Sequence, residues 1–290
     1  METIKFKRHE SFTLREGWIE KVINSLKEEN EPFSDVFNAK KGIAILGIGS
    51  NMVKSLKYWL NACSIISTNG LSELGDAIYK NDRFLDDLNT IYLIHLNLVG
   101  NENDAYVIHH FFNDFPKASF TKKELVEWFK ELVDKDERIQ NKNYDSINSD
   151  IDVMLRMYSF AGTNDDPENN MASPFSRLGL LVDEGKDSYS KVKTKYNSLS
   201  PLLIYWSLKD IYRNTDHFVI DDMLDIVGSP AAVFNLDKNV LNEYLNNLQD
   251  LDYFVINRTA GLNTVYFTNK TISTIDELLS LVLKGEMYAK

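Results

Sequence analysis

A glycine turn at residues 47–49 is surrounded by residue types that contact DNA. The glycines end one helical pattern and the next begins at Ser50, so that the free N–H groups of a first helical turn can bind a phosphate. Asparagine can form a bidentate pair with adenine, and lysines three apart on one helix face can contact phosphates or guanine. The alternative is a helical hairpin in a core, with lysines that are only hydrated. The residues predicted to contact DNA are Lys40, Lys41, Ser50, Asn51, Lys54 and Lys57.

A second group of polar residues lies in the run HESFTLREGW at 9–18. His9 and Glu10 are adjacent and Arg15 follows, so the three could bind a phosphate or assist a proton transfer. The alternative, which we favour, is structural: Arg15 pairs with Glu10, His9 caps, and the aromatic residues anchor the segment in the core. The sequence therefore gives a candidate polar cluster of His9, Glu10 and Arg15.

The histidines and carboxylates do not predict a metal site. His109 and His110 are adjacent, and neighbouring side chains on a helix diverge by about 100°, so we expect them not to share an ion. His95 lies in an apolar helix, where a hydrogen-bonded core histidine is expected. Asp150 and Asp152 are two apart and should lie on different helix faces. We predict no metal ligand and no cofactor, and Mg²⁺ enters only if the protein nicks DNA.

Motifs for nucleotide or hydrolase chemistry are absent from the sequence. There is no G-x-x-x-x-G-K-[ST] phosphate loop, and the glycine pair at 47–49 lacks the preceding strand and third glycine of a dinucleotide motif. There is also no serine elbow, kinase set or zinc-protease motif. Nucleotide-dependent chemistry is therefore not expected.

The elements around the glycine turn follow the order of a winged helix-turn-helix. Helical spacing of apolar residues covers 14–26, and a second helical pattern covers 36–46. A third helix is predicted from 50 to 63, with a polar N-cap at Ser50 or Asn51. The β-like run at 64–68 and the Asn-Gly turn that follows it predict a small wing.

The rest of the chain suggests two further regions. The middle is predicted to be helical, with two short strands at 178–182 and 189–195. Thr121 followed by Glu124 forms a capping box at one helix start. Near the C-terminus, helix, turn, helix and two strand-like runs again resemble a winged-helix layout. The predicted fold is mainly α with small β-wings, an α+β class. The predicted domains are 1–85 (winged helix-turn-helix), 86–200 (helical) and 201–290 (winged-helix-like).

Charge is divided unevenly along a chain of ordinary globular composition. The net charge of the 290 residues is −11, which argues against broad, non-specific binding of nucleic acid. Residues 1–60 carry +2 and the remaining 230 carry −13, so the N-terminal region is the expected face for DNA. No apolar run approaches the roughly 20 residues of a membrane span, and Cys63 is the only cysteine. A cytoplasmic location is expected.

Several blocks of the sequence resemble, in order, one family. The blocks are HESFTLREGWIEK at 9–21, LGIGSNMVKSLKYWLNA at 46–62, HFFNDFPKASFTKKEL at 110–125, SINSDIDVMLRMY at 146–158, PFSRLGLL at 174–181, GSPAAVFNLD at 228–237 and TAGLNTVYF at 259–267. The first two blocks are the most specific. Together they resemble the domain-of-unknown-function family DUF4007. Arg8 stands where members often have glycine, Met154 where they have phenylalanine, and Ser50 where they often have lysine. The change at Ser50 removes one charge that could meet a phosphate.

The resemblance implies a place in DNA phosphorothioation systems, in which sulfur replaces a non-bridging oxygen of the DNA backbone. Three functions are compatible with it: a DNA-binding component of this modification and antiphage defence, a metal-dependent DNA nickase acting before sulfur insertion, and a non-catalytic scaffold that docks sulfur-transfer partners. The implied partners are double-stranded DNA, a cysteine desulfurase and an ATP-dependent sulfur-transfer protein. Self-association as a homodimer stays open.

Overall fold

The computed structural model describes residues 4–140, 142–159, 172–224, 226–259 and 262–285. The helices are α1 (Trp18–Lys27), α2 (Phe33–Val36), α3 (Lys41–Leu46), α4 (Ser50–Ala62), α5 (Glu73–Asn81), α6 (Leu88–Gly100), α7 (Tyr106–Asn113), α8 (Lys122–Lys135), α9 (Tyr144–Tyr158), α10 (Pro201–Ile211), α11 (Ile220–Leu224), α12 (Pro230–Val233), α13 (Lys238–Asp250) and α14 (Ile275–Leu283). The strands are β1 (Ser119–Thr121), β2 (Leu181–Gly185), β3 (Ser188–Lys191), β4 (His217–Val219), β5 (Phe254–Thr259) and β6 (Leu262–Phe267). The predicted α+β class is confirmed.

Two antiparallel three-stranded sheets share one topology. The strand order is β1-β3-β2 in the first sheet and β4-β6-β5 in the second. In each case helices follow the first strand, and a hairpin then adds the other two strands, so that the last strand lies in the centre. The short strands predicted at 178–182 and 189–195 are present as β2 and β3, and with β1 they give the described middle region the layout of the C-terminal region.

The junction between β1 and α8 shows how the sequence starts a helix. The Thr121 hydroxyl accepts the Glu124 N–H at 3.2 Å, and the Glu124 carboxylate accepts the Thr121 N–H at 2.7 Å, which confirms the predicted capping box. The helix begins at Lys122, directly after the predicted N-cap, while Ser119 and Phe120 pair with strand β3.

The predicted helix at 36–46 is wrong, because two short helices replace it. The side-chain oxygen of Asn38 accepts the backbone N–H groups of Lys40 at 2.9 Å and Lys41 at 3.1 Å, and this local bonding competes with a continuous helix. Gly47 then ends α3 in the left-handed conformation, with φ of 65°. The glycine turn before α4 is thus as predicted.

The predicted wing at 64–68 has a single β-bridge, between Ile66 and Leu71, in place of two strands. The turn is present, since the Ser67 N–H donates to the Gly70 carbonyl at 2.8 Å. Helix α5 begins at Glu73, directly after the bridge, so the chain leaves no length for a second strand.

Helix α6 runs through the core with most of its residues buried, as its apolar sequence predicts. His95 in this helix is fully buried. Its Nδ1 accepts from the Tyr158 hydroxyl at 2.7 Å, and its Nε2 donates to the Val233 carbonyl at 2.8 Å. Desolvation lowers the pKa of His95 to about 4, so the ring is neutral. The predicted core histidine is confirmed, and it joins α6 to α9 and α12.

The last helix returns to the N-terminal third of the chain. Helix α14 packs against α5, and Asp276 in its first turn accepts from the amide of Asn81 at 2.8 Å and pairs with Lys80. Residues 201–290 therefore contact the first predicted domain as well as the second. None of the described helices is long and apolar enough to cross a bilayer.

Replacing Gly42 by alanine should destabilise the N-terminal region. A Cβ at Gly42 would lie 2.4 Å from the Val36 carbonyl oxygen and 3.2 Å from Val53 Cγ1. Since a backbone oxygen cannot rotate away, we expect the free energy of unfolding to fall by about 1–3 kcal/mol in urea denaturation. Gly100→Ala is the matched control, because a Cβ at Gly100, also within a helix, would meet no described atom within 4 Å. Equal stability of the two variants would contradict the packing of α3 against α2 and α4.

The buried histidine predicts a specific loss of stability in acid. Unfolding returns the pKa of His95 from about 4 to about 6.5, so the unfolded chain binds a proton that the folded chain excludes. The contribution of His95 is complete above pH 6.5 and is lost as the pH falls toward 4, by roughly 3 kcal/mol. In urea denaturation from pH 7 to 4.5, His95→Gln should lower the overall stability but flatten its pH dependence. His217→Gln, at an exposed histidine, should keep the wild-type slope; a wild-type slope in both variants would refute the assignment.

Candidate nucleic-acid interface

The predicted DNA-contacting side chains lie mostly on the outside of the fold. Lys40, Lys41, Asn51, Lys54 and Lys57 are exposed, and Ser50 is half-buried. Lys41 Nζ lies 2.7 Å from the Asp35 carboxylate, and Lys57 Nζ lies 5.8 Å from the centre of the Phe33 ring, so α3 and α4 both direct a lysine toward α2. Lys54 Nζ is 3.4 Å from the side-chain oxygen of Asn51.

These contacts leave the lysines able to exchange partners. An exposed ion pair such as that between Lys41 and Asp35 contributes only about 0.2–1 kcal/mol. The ring faces of Phe33 and Phe37 attract the Lys57 ammonium without neutralising it. A phosphate could therefore replace water or the weak partners at this surface at little cost.

The start of α4 presents backbone donors. Gly49 is the N-cap with extended backbone (φ −64°, ψ 157°), and no side chain among the described residues caps the helix. The prediction that Ser50 or Asn51 is the cap is wrong, because both lie inside the first turn. The N–H groups of that turn are therefore not satisfied by a capping side chain, and the helix dipole favours an anion there.

The inner face of α4 is fixed by the N-terminal segment. Val53, Leu56 and Trp59 are buried. The Trp59 indole N–H donates to the Phe12 carbonyl at 2.9 Å, and the His9 ring lies nearly parallel to the indole, with an interplanar angle of 7° and centroids 5.7 Å apart. These contacts set which face of α4 points outward.

His9 is itself held by a carboxylate from α9. Its Nδ1 accepts the Ser11 N–H at 3.0 Å, so Nε2 carries the hydrogen and donates to Asp150 at 2.8 Å. The Lys7 N–H donates to the same carboxylate oxygen at 2.8 Å. Burial raises the pKa of Asp150, and the bonds from His9 and Lys7 oppose that rise. Lys7, Glu10 and Ser11 all have positive φ, between 49° and 66°, so this segment is strained and needs those bonds.

The candidate polar cluster is divided among separate surroundings. His9 bonds to Asp150, Glu10 is exposed, and Arg15 is buried with its guanidinium 5.6 Å from the Phe12 ring centre and 5.5 Å from that of Trp18. The structure thus gives His9 and Arg15 anchoring contacts and leaves Glu10 at the surface.

Sequence reasoning missed a second anchor. The Tyr58 hydroxyl donates to the Asp104 carbonyl at 2.5 Å, while Arg8 pairs with the Asp104 carboxylate and lies 5.2 Å from the Tyr58 ring centre. Burial is the largest cause that raises the pKa of Tyr58, so it stays a neutral donor. Arg8, Tyr58 and Asp104 are separated by dozens of residues, so no local spacing in the sequence predicts this contact.

Among the described residues, one group could hold a metal ion. The ligand atoms of Glu102, His109 and His110 all lie within 4.8 Å of one another. Although neighbouring side chains diverge on a helix, the His109 and His110 rings lie 4.8 Å apart between centroids. Asp150 and Asp152 do lie apart: the first bonds to His9 and the second to Lys122 at 2.6 Å.

Two solved structures have a similar fold. A magnesium ion-bound SspB crystal structure has a TM-score of 0.80 and 22% identity over 98% of this chain and 88% of that chain. A second SspB crystal structure has a TM-score of 0.78 and 21% identity over the same shares. No curated protein sequence matches the chain. Residues 6–282 match the family profile described as "Protein of unknown function (DUF4007)". The chain therefore belongs to the DUF4007 family, as its sequence blocks predicted.

Proposed function

We propose that this protein is a DNA-binding component of a phosphorothioation-type DNA-modification and defence system, and that α4 is the helix that enters the major groove. The observation that carries the proposal is the two-sided character of α4. Its buried face is locked by Trp59, while Lys54 and Lys57 project from the exposed face beside a helix start without a capping side chain. A recognition helix needs this combination of fixed orientation and outward donors.

The charge of the corresponding helices favours α4 over its counterparts. Helix α4 carries two lysines and no acidic residue. Helix α9 carries three aspartates and one arginine, and α13 carries one lysine, one glutamate and one aspartate. Since DNA phosphates repel acidic surfaces, only α4 of these three suits the groove.

The topology supports a winged-helix description of the fold. In both sheets a short strand is followed by helices and then by a hairpin, which is the element order of a winged helix. We propose three such units, with 1–85 as the DNA-binding domain, 86–200 as a middle domain and 201–290 as a C-terminal domain. The first has lost its wing, and the other two supply the acidic bulk of the chain.

The link to phosphorothioation rests on family membership and on the fold shared with SspB. A cysteine desulfurase and an ATP-dependent sulfur-transfer protein are the proposed partners. The charge of −13 beyond residue 60 suits docking to a basic partner, which combines the DNA-binding and scaffold functions in one chain.

The described residues do not fit a Mg²⁺-dependent nicking centre. Mg²⁺ prefers oxygen ligands in octahedral geometry. The described cluster of three ligating side chains offers two imidazoles and one carboxylate, and Asp152 is paired with Lys122. We therefore derive no nicking step. The carboxylates Asp165, Asp166 and Glu168 lie outside the described residues.

Reversing the charge of α4 should abolish most duplex binding. Lys54→Glu/Lys57→Glu replaces two outward cations by anions and should weaken duplex affinity at least tenfold. The slope of log affinity against log salt should fall by about 2, because each phosphate contact contributes about 0.9. Fluorescence anisotropy with a labelled duplex, at salt concentrations of about 50–200 mM, measures both the affinity and the salt slope.

The control changes the same charge elsewhere. Lys123 and Lys135 are exposed on α8, and Lys123→Glu/Lys135→Glu should keep the wild-type affinity and salt slope. Unchanged binding by the α4 variant would remove α4 as the contact. Equal losses in both variants would show that only total charge matters.

A further inference from the structure

We propose that Glu102, His109 and His110 form a zinc-binding site on the surface beside α6 and α7. Glu102 lies two residues after α6, and the two histidines are consecutive in α7. Their ligand atoms all lie within 4.8 Å of one another. The site is separate from α4 and does not depend on the proposed DNA binding.

Both histidines are oriented as metal ligands. His109 Nδ1 lies 2.7 Å from the Val99 carbonyl, so Nδ1 carries the hydrogen and Nε2 keeps its lone pair. His110 Nδ1 lies 2.5 Å from the Asp114 carboxylate and donates to it, which again leaves Nε2 free for a metal. A carbonyl or carboxylate behind a ligating imidazole is the usual outer shell of a zinc site, because it fixes the tautomer and the ring orientation.

The third ligand is held in its charged form. Arg138 bonds to the Glu102 carboxylate at 2.5 Å and lowers the pKa of Glu102. Metal binding requires a deprotonated carboxylate, and the bond from Arg138 favours that form of Glu102.

One buried atom of the cluster, His110 Nε2, has no hydrogen-bond partner among the described residues. A bound cation would satisfy this nitrogen. With the hydrogen on Nδ1, this nitrogen presents its lone pair 3.4 Å from the Glu102 oxygen Oε1, which also accepts from Arg138. Zinc bonds of about 2.0–2.1 Å place neighbouring ligands of a tetrahedral ion about 3.3 Å apart, close to this separation. An ion between the two atoms would bond to both.

The donor set selects the metal class. Two imidazole nitrogens and one carboxylate suit Zn²⁺, whereas Mg²⁺ prefers oxygen ligands. Three protein ligands leave a fourth position open, and one third of the Glu102 side chain is exposed, so water or an oxygen ligand can reach that position.

The test measures zinc affinity directly. Untagged protein, stripped with a chelator, is titrated with Zn²⁺ against a competing dye. We expect one Zn²⁺ per chain, no displacement by millimolar-order Mg²⁺, and a rise in melting temperature with Zn²⁺. His109→Gln/His110→Gln should lose the ion and the rise. Asp114→Asn, which alters only the group behind His110, should weaken affinity about 10–100-fold.

A histidine outside the cluster serves as the control. His217→Gln removes an exposed histidine and should bind Zn²⁺ as the wild type does. No uptake by the wild type, or equal uptake by the double variant, would overturn the site. If the double variant does not fold, the visible spectrum of Co²⁺ in the wild-type protein decides: strong tetrahedral bands support the site, and weak octahedral bands refute it.

Discussion

The carboxylate of Asp150 is the constraint on which the N-terminal region depends. Only 14% of its side chain is exposed, so leaving it without partners would be costly, and it accepts hydrogen bonds from His9 and from the Lys7 amide. The His9 ring in turn lies against Trp59, whose indole N–H holds the Phe12 carbonyl. A bond between α9 and the chain start therefore determines the orientation of α4. The residues with positive φ in this segment are strained, and these bonds hold them in that conformation.

The orientation of α4 matters because charge is unevenly distributed along the chain. Trp59 fixes the back of α4 against Phe12 and His9, so that the α4 lysines face outward, and the rest of the chain is acidic. The middle and C-terminal sheets repeat one topology, but the helices α9 and α13 beside them carry net negative charge. Similar layouts therefore present surfaces of different charge. The DNA-binding function proposed for α4 thus follows from charge together with topology.

Short-range sequence patterns predicted much of the fold, but they did not predict contacts between residues that are far apart in the sequence. The glycine turn, the apolar run of α6 and the Thr121 capping box each depend on neighbours within a few residues, and each was predicted. The break within 36–46 was missed because the Asn38 side chain competes with the helix. The bond from His9 to Asp150 spans 141 residues, and the approach of Glu102 to the adjacent histidines depends on rotamers. No periodicity encodes either contact.

Hydrogen exchange with and without a DNA duplex tests the central claim most directly, because it locates the contact without altering the protein. If the locked helix is the groove-binding element, backbone amides of residues 47–57 will exchange more slowly in the complex. The amides of β2 and β3 and of the β5–β6 hairpin will exchange at their free rates. Protection confined to either hairpin, with none at the start of α4, would contradict the account.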